Sequence, residues 1–447
     1  MPQRPAVLWV HTAPFAAASR VEGGRGGAGD LWPWPRVLPL GSLRPVAAPG
    51  ADPASVPVVI DLDGLDRLVA VLEERGWEVL GPTVRDGAVV VGPVHGVADL
   101  PRGVGDDQQP GRYRLRDRGD DALFGFAAAA TSFKPVLFPS RQLLWAGVRR
   151  RSRSEPGSAA PAGFDADVPH DPPPRYALLG VRSCDLAAIA VHDRVLSARF
   201  RARPAVDEHY SARRRSSFVV AVACGYPSAT CFCTSMGTGP APGAGHDLAL
   251  TEVLDEDGHR FVVEVGSAGG ADVLAELPSR PAEQRDRDAA QAVVDRARDA
   301  IDRRLSTAGL PSLLDAEVEH PQWDDVAAGC LACGNCTAVC PTCFCTSVDD
   351  VTDLAGDHTQ RWRVWDSCFS AGFSYVHGGP IRSSTKSRYR QWLTHKLGTW
   401  GAQFDTTGCV GCGRCLTWCP VGIDLTAQAS ALQRTARTPA HRGEVAT

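Results

Sequence analysis

Cys330-Leu-Ala-Cys333-Gly-Asn-Cys336-Thr-Ala-Val-Cys340-Pro341 and Cys409-Val-Gly-Cys412-Gly-Arg-Cys415-Leu-Thr-Trp-Cys419-Pro420 are two copies of one spacing. Together they use eight of the fifteen cysteines. Three cysteines at two-residue gaps let one short loop wrap an iron–sulfur cubane and give thiolates to three of its irons. The fourth, before proline, leaves the loop and ligates the cluster of the other motif. The spacing therefore predicts two 4Fe-4S clusters. One is held by Cys330, Cys333, Cys336 and Cys419, the other by Cys409, Cys412, Cys415 and Cys340. The crossing obliges the intervening segment to fold back.

Structural zinc usually takes two cysteine pairs, or cysteine mixed with histidine, and not a repeated triplet with a Cys-Pro partner. A disulfide framework suits small secreted domains, whereas this chain has 447 residues and an odd cysteine count. That length allows two or three domains. A composition 44% hydrophobic and 22% charged is that of a globular protein, and a net charge of −4 gives no electrostatic case for nucleic acid or an anionic membrane. The first residues make a poor signal peptide, no stretch reaches transmembrane length, and so many free thiols point to the cytoplasm.

Working outward, residues 1–50 are Gly- and Pro-rich and read as poorly ordered, with a glycine run at 23–27 that fits no nucleotide loop. An α/β domain is expected over 51–310. Within it Val58–Asp61, Trp77–Leu80 and Ala88–Val91 read as strands and Asp63–Arg75 as a helix. Asp247–Val265 reads as a hairpin turning at Asp257-Gly258, and Ala271–Leu305 as helical, broken at Pro278 and Pro281. Arg149–Arg153 and the stretch to Pro174 read as a solvated linker, with partner docking as the alternative.

Tyr176–Val181 and Phe218–Ala223 read as parallel strands joined by a helix from Leu186. They carry Cys184 and Cys224 to one carboxyl edge, where open α/β sheets hold ligands. Cys231-Phe-Cys233 follows in a Gly/Pro-rich loop, so these four thiols are expected to converge on a third cluster. Buried or redox-active thiols, or zinc, are the alternatives. A fragment ending near Leu310 is expected to retain that site. A dicluster domain is expected over 323–430 and a flexible tail over 431–447. Between its motifs the apolar spacing favours helices over strands. Cys343, Cys345 and Cys368 read as packed thiols near the clusters, and Trp418 as a shield against water. No acid–base pair or open metal site is visible, so no catalytic residue is assigned.

Several runs are longer and more specific than cluster spacing alone: Gly180-Val-Arg-Ser-Cys184-Asp185-Leu186, Cys231-Phe-Cys-Thr-Ser-Met-Gly-Thr-Gly-Pro240, Cys340-Pro-Thr-Cys-Phe-Cys-Thr346, Trp365-Asp-Ser-Cys368-Phe369 and Tyr389-Arg-Gln-Trp-Leu-Thr-His395. With them the chain, from about Val58 to Asp424, resembles the beta subunit of soluble sulfhydrogenases, cytoplasmic nickel–iron hydrogenases linked to nicotinamide. It is also similar to the iron–sulfur relay subunit of anaerobic sulfite reductase. The resemblance implies an α-helical ferredoxin-like domain after the α/β domain. It implies a cytoplasmic hetero-oligomer in which this chain relays electrons between a flavin subunit handling NAD(P)H and the hydrogenase small and large subunits. A sulfite reductase relay and a redox-sensing iron–sulfur protein are the alternative functions.

Overall fold

The computed structural model describes residues 56–150, 163–168, 172–197, 199–200, 203–204 and 206–436. The expectations for residues 1–50 and for the last residues of the tail lie outside these. The described residues divide into two compact units: a smaller one from residues 140–168 and 346–366, and a larger one from the rest.

The larger unit is built on an eight-stranded mixed sheet. Its centre is four parallel neighbours: Leu248–Asp255, Phe218–Val222, Tyr176–Arg182 and Glu78–Arg85. Phe218–Val222 is buried at every residue, and Tyr176–Arg182 at all but the first. Such unbroken apolar runs belong to strands covered on both faces. The helix Leu62–Glu74, capped by the Asp61 carboxylate accepting from Gly64 N at 2.9 Å, packs Leu65, Leu68, Val69 and Leu72 into the main core. The helix Gln284–Asp299 sets Ala290 and Val293 against Val59, Val253 and Val262. The hairpin Leu248–Asp255/Gly258–Val265 turns where the sequence predicts.

Gly180 is an extra residue in its strand. Leu179 pairs with Val220 and Val181 with Ala221, leaving Gly180 unpaired at φ +81°, a conformation that favours glycine. The bulge lies just upstream of Arg182-Ser183-Cys184, where the strand passes into the helix Ser183–His192.

In the same unit, the helices Leu310–Ala316, Gln322–Gly329, Thr385–Thr394, Trp400–Phe404 and Leu425–Ala436 surround a second core. Trp323, Leu393, Leu416 and Leu432 form it. Phe232, from the loop carrying Cys231 and Cys233, is fully buried in this core. A fragment ending near Leu310 would therefore strip that loop of its packing, contrary to the sequence expectation of a separable site.

The smaller unit is a four-stranded antiparallel sheet in the order Thr346–Thr352, His358–Trp365, Arg141–Arg150, Gly163–Asp167. This corrects two expectations. The segment between the cysteine motifs begins with a hairpin and not a helix, because Arg361, Trp362, Arg363 and Val364 alternate with period two. Asp350 and Arg361 face each other across it in a two-pronged ion pair at 2.6 and 2.7 Å. The arginines at 149 and 150 lie in a strand, while residues 151–162 lie outside the described ones.

Candidate iron–sulfur sites

Both triplets fold alike. In each, the backbone amide two residues on donates to the first cysteine sulfur: Ala332 N to Cys330 Sγ at 3.4 Å and Gly411 N to Cys409 Sγ at 3.5 Å. A left-handed glycine follows the second cysteine, Gly334 at φ +75° and Gly413 at +76°, and opens a short helix, Asn335–Ala338 or Arg414–Thr417.

Cys330, Cys333, Cys336 and Cys419 line one cavity, with Cys415 also on its wall. Phe369, Tyr389 and Trp392 close it, their ring centroids 5.4–6.3 Å apart. Tyr389 Oη and Trp392 Nε1 are buried without a hydrogen-bond partner among the described residues. Two unsatisfied donors on residues lining a cavity of thiols fit a group that brings sulfur acceptors. Cys333 is exposed, and Leu331 and Val421 stand exposed at the rim.

Cys340, Cys409 and Cys412 are buried, with Cys415 half-buried. Burial pushes the thiols of Cys409, Cys412 and Cys415 up, Cys409 to about 12. Cys340 departs in the other direction: a hydrogen bond from Cys343 and the charge of Lys396 hold it well below the usual thiol range. Lys396 is itself buried, and its ammonium donates to Cys340 Sγ at 3.2 Å and Gly408 O at 2.9 Å. Desolvation works against that charge, and the surrounding cysteine sulfurs, Cys340 first, outweigh it. Among the described residues no ion pair joins Lys396 to a carboxylate. A buried cation compensated only by sulfur fits an anionic, thiolate-ligated group.

The third set converges as well. Cys184, Cys224, Cys231 and Cys233 line one cavity, and Cys412 lines it too, which the sequence reading missed. Burial pushes all four thiols up, Cys231 to about 12. Arg182 shares the cavity wall, buried, donating to the carbonyls of Phe124, Phe126 and Ala223, with its Nε unpartnered. The chemistry again suits an anion among thiols. One wall is the second motif's loop. Phe232 N donates to Gly411 O at 2.9 Å, Thr238 Oγ1 to Val410 O at 2.6 Å, and Thr230 and Thr417 hydroxyls meet at 2.9 Å. Asp185 and Arg414 close the joint through a buried two-pronged ion pair at 2.7 and 2.8 Å. No three His, Cys, Asp or Glu among the described residues are grouped tightly enough for a single metal ion.

Residues 329–423 match the family described as 4Fe-4S dicluster domain. The sulfhydrogenase 2 subunit beta of Pyrococcus furiosus (strain ATCC 43587 / DSM 3638 / JCM 8422 / Vc1) is 35% identical to the chain over 257 residues, 56% of this chain and 72% of that protein. The chain belongs to the sulfhydrogenase beta-subunit family. No solved structure matches it.

In this family member the remaining cysteines stand in pairs. Cys343 shares a hydrogen bond with Cys340, and Cys345 with Cys368, each contact pushing the thiol of Cys343 or Cys368 up. Trp418 stacks on Tyr113, centroids 5.0 Å apart, in the packing between the second motif and the hairpin Val104–Gln109/Arg112–Asp117. At the turn of that hairpin Gly111 N donates to Leu416 O at 3.0 Å. No described helix is long and apolar enough to cross a membrane.

Proposed function

We propose that this chain is the iron–sulfur electron-transfer subunit of a cytoplasmic hydrogenase complex. It relays electrons between a flavin subunit that handles NAD(P)H and the nickel–iron module of small and large subunits. The observation that carries this is the pair of thiol-lined cavities in a sulfhydrogenase-family chain, one of them lined by Cys419 together with the triplet 330–336.

A 4Fe-4S cluster, when bound, accepts and returns single electrons. The chain's residues decide where it sits and what surrounds it. Cys330, Cys333, Cys336 and Cys419 would hold one, and Cys409, Cys412, Cys415 and Cys340 the other, in the crossed pattern. Cys184, Cys224, Cys231 and Cys233 would hold a third, sharing a wall with the second at Cys412. This order gives a path from the edge of the α/β sheet, through the buried second site, to the exposed rim at Cys333. Aromatic and aliphatic side chains line the site of Cys330, Cys333 and Cys336, burial keeps water from the second, and amide and ammonium donors to sulfur tune both.

The test is the full chain purified without oxygen, assayed for iron, acid-labile sulfide and co-purifying nickel. Two motifs predict about eight irons and the third site brings the total to about twelve. Cys340→Ser is expected to damage the cluster of Cys409, Cys412 and Cys415, and Cys231→Ser to remove about four irons. Stoichiometric zinc without sulfide would overturn the reading, and selective damage beside Cys330–Cys336 in Cys340→Ser would overturn the crossing.

A further inference from the structure

Lys396 lies in a π-helical turn, His395–Thr399, that interrupts the run from Thr385 to Phe404. Such widened turns recur at functional positions. This one carries the lysine stem inward between two indoles, its ammonium 5.9 Å from the Trp392 ring centre and 6.0 Å from that of Trp400. The head then reaches Cys340 Sγ, Gly408 O, Thr342 Oγ1 at 3.4 Å and, more loosely, Cys343 Sγ at 3.7 Å. Only 3% of the residue is exposed.

We propose that Lys396 is a positioning and charge-setting residue that raises the electron affinity of the second motif's site above that of the first. The inference rests on the reading that Cys340 serves the cluster of Cys409, Cys412 and Cys415. Reduction adds one negative charge to a thiolate-ligated cluster. A fixed cation within hydrogen-bonding reach of a ligand sulfur stabilises that charge, and burial leaves it little screened by solvent or salt. In the first cavity the Lys396 charge is felt at Cys336 without a hydrogen bond to its sulfur. Its lining includes no lysine or arginine, and its donors, Tyr389 and Trp392, are neutral. Electrons entering the pair therefore settle at the buried site.

The experiment is an EPR-monitored redox titration of the anaerobically purified full chain, with iron counted on the same samples. Lys396→Met keeps the stem and removes the charge. It is expected to lower one midpoint by at least a tenfold change in the reduction equilibrium, about 59 mV for a single electron. The other midpoint should move less, because the Lys396 charge reaches Cys336 only without a hydrogen bond, and the iron content should hold. Lys396→Arg should restore most of the shift, and Lys396→Gln serves if the methionine variant does not assemble. Cys340→Ser identifies which signal belongs to the second site. Unmoved midpoints in iron-replete Met or Gln variants would overturn the proposal. So would loss of iron in both while Arg retains it, which would make Lys396 an assembly residue. A shift confined to the signal that Cys340→Ser spares would also overturn the proposal, since the Lys396 charge would then not act through Cys340, whereas Cys340→Ser damage to the cluster that Cys409→Ser spares would overturn the ligand assignment.

Discussion

The two cysteine triplets share a spacing and a backbone trace, yet they sit in unlike surroundings. Before its second cysteine the first motif has Ala332 at φ +49°, and the second has Gly411 at φ +66°. A Cβ on Gly411 would fall 2.7 Å from the backbone of Cys233. Before the third cysteine the first motif has Asn335, which donates to Trp418 O, and the second has the fully buried Arg414 paired with Asp185. One loop lies open at Cys333; the other is gripped from the sheet side. Ligation needs only the spacing, so the residues between the cysteines are free to specify what each loop leans on.

The sharpest way to break this contrast is at Arg414. Arg414→Met strands the Asp185 carboxylate in the interior, and a loss of about 3–5 kcal/mol is expected from denaturant unfolding. The matching change Asn335→Ala removes one hydrogen bond and should cost about 1 kcal/mol. Equal losses would mean the two loops are held alike.

Next come the reciprocal swaps. Gly411→Ala meets both a left-handed backbone and the Cys233 main chain, so a cost of about 3 kcal/mol is expected, with iron lost from the buried sites. Ala332→Gly should stay within about 1 kcal/mol of the parent. Unfolding midpoints and iron content measured together check both.

Acid sharpens the contrast further. His192, on the helix after Cys184, is buried and held at a pKa of about 4 by desolvation first and by the nearby Lys134 charge second. Its folded pKa lies below the unfolded value of about 6.5, so the unfolded chain binds the extra proton. The stability from keeping it neutral is complete above that value and is lost as pH falls toward 4. Between pH 7 and pH 5 this amounts to about 2 kcal/mol. His192→Phe should flatten that part of the pH dependence, seen in urea midpoints at the two pH values.

The smallest effect is kinetic. A chelator should draw iron first from the site with Cys333 at the surface and later from the buried one, an order EPR can follow during the time course. Simultaneous loss would erase the distinction in accessibility.

Much of this was legible in the chain because it is local. Cysteine spacing fixes a loop, and the apolar runs at Tyr176–Val181 and Phe218–Ala223 fix parallel strands that end at Cys184 and Cys224. The hairpin over 346–365 was misread because Trp362 and Trp365, three apart, mimic a helical stripe while the true alternation runs through the arginines between them. The grip on the second motif left little trace. Gly411, Arg414 and Asp185 are single residues whose meaning depends on partners far along the chain. The one available signal was the mismatch between motifs: glycine for alanine and arginine for asparagine at equivalent positions.

The seating of the Cys231–Cys233 loop on residues 409–417 also has a consequence for how the protein is made. About 178 residues separate Cys233 from Gly411, so at about 5–20 residues per second a ribosome needs roughly 9–36 s to deliver the second after the first. Throughout that interval the early thiols have emerged without the wall that encloses them. Nascent chains are thus most vulnerable to oxidants and stray metals during synthesis, and a pause late in translation would prolong that exposure.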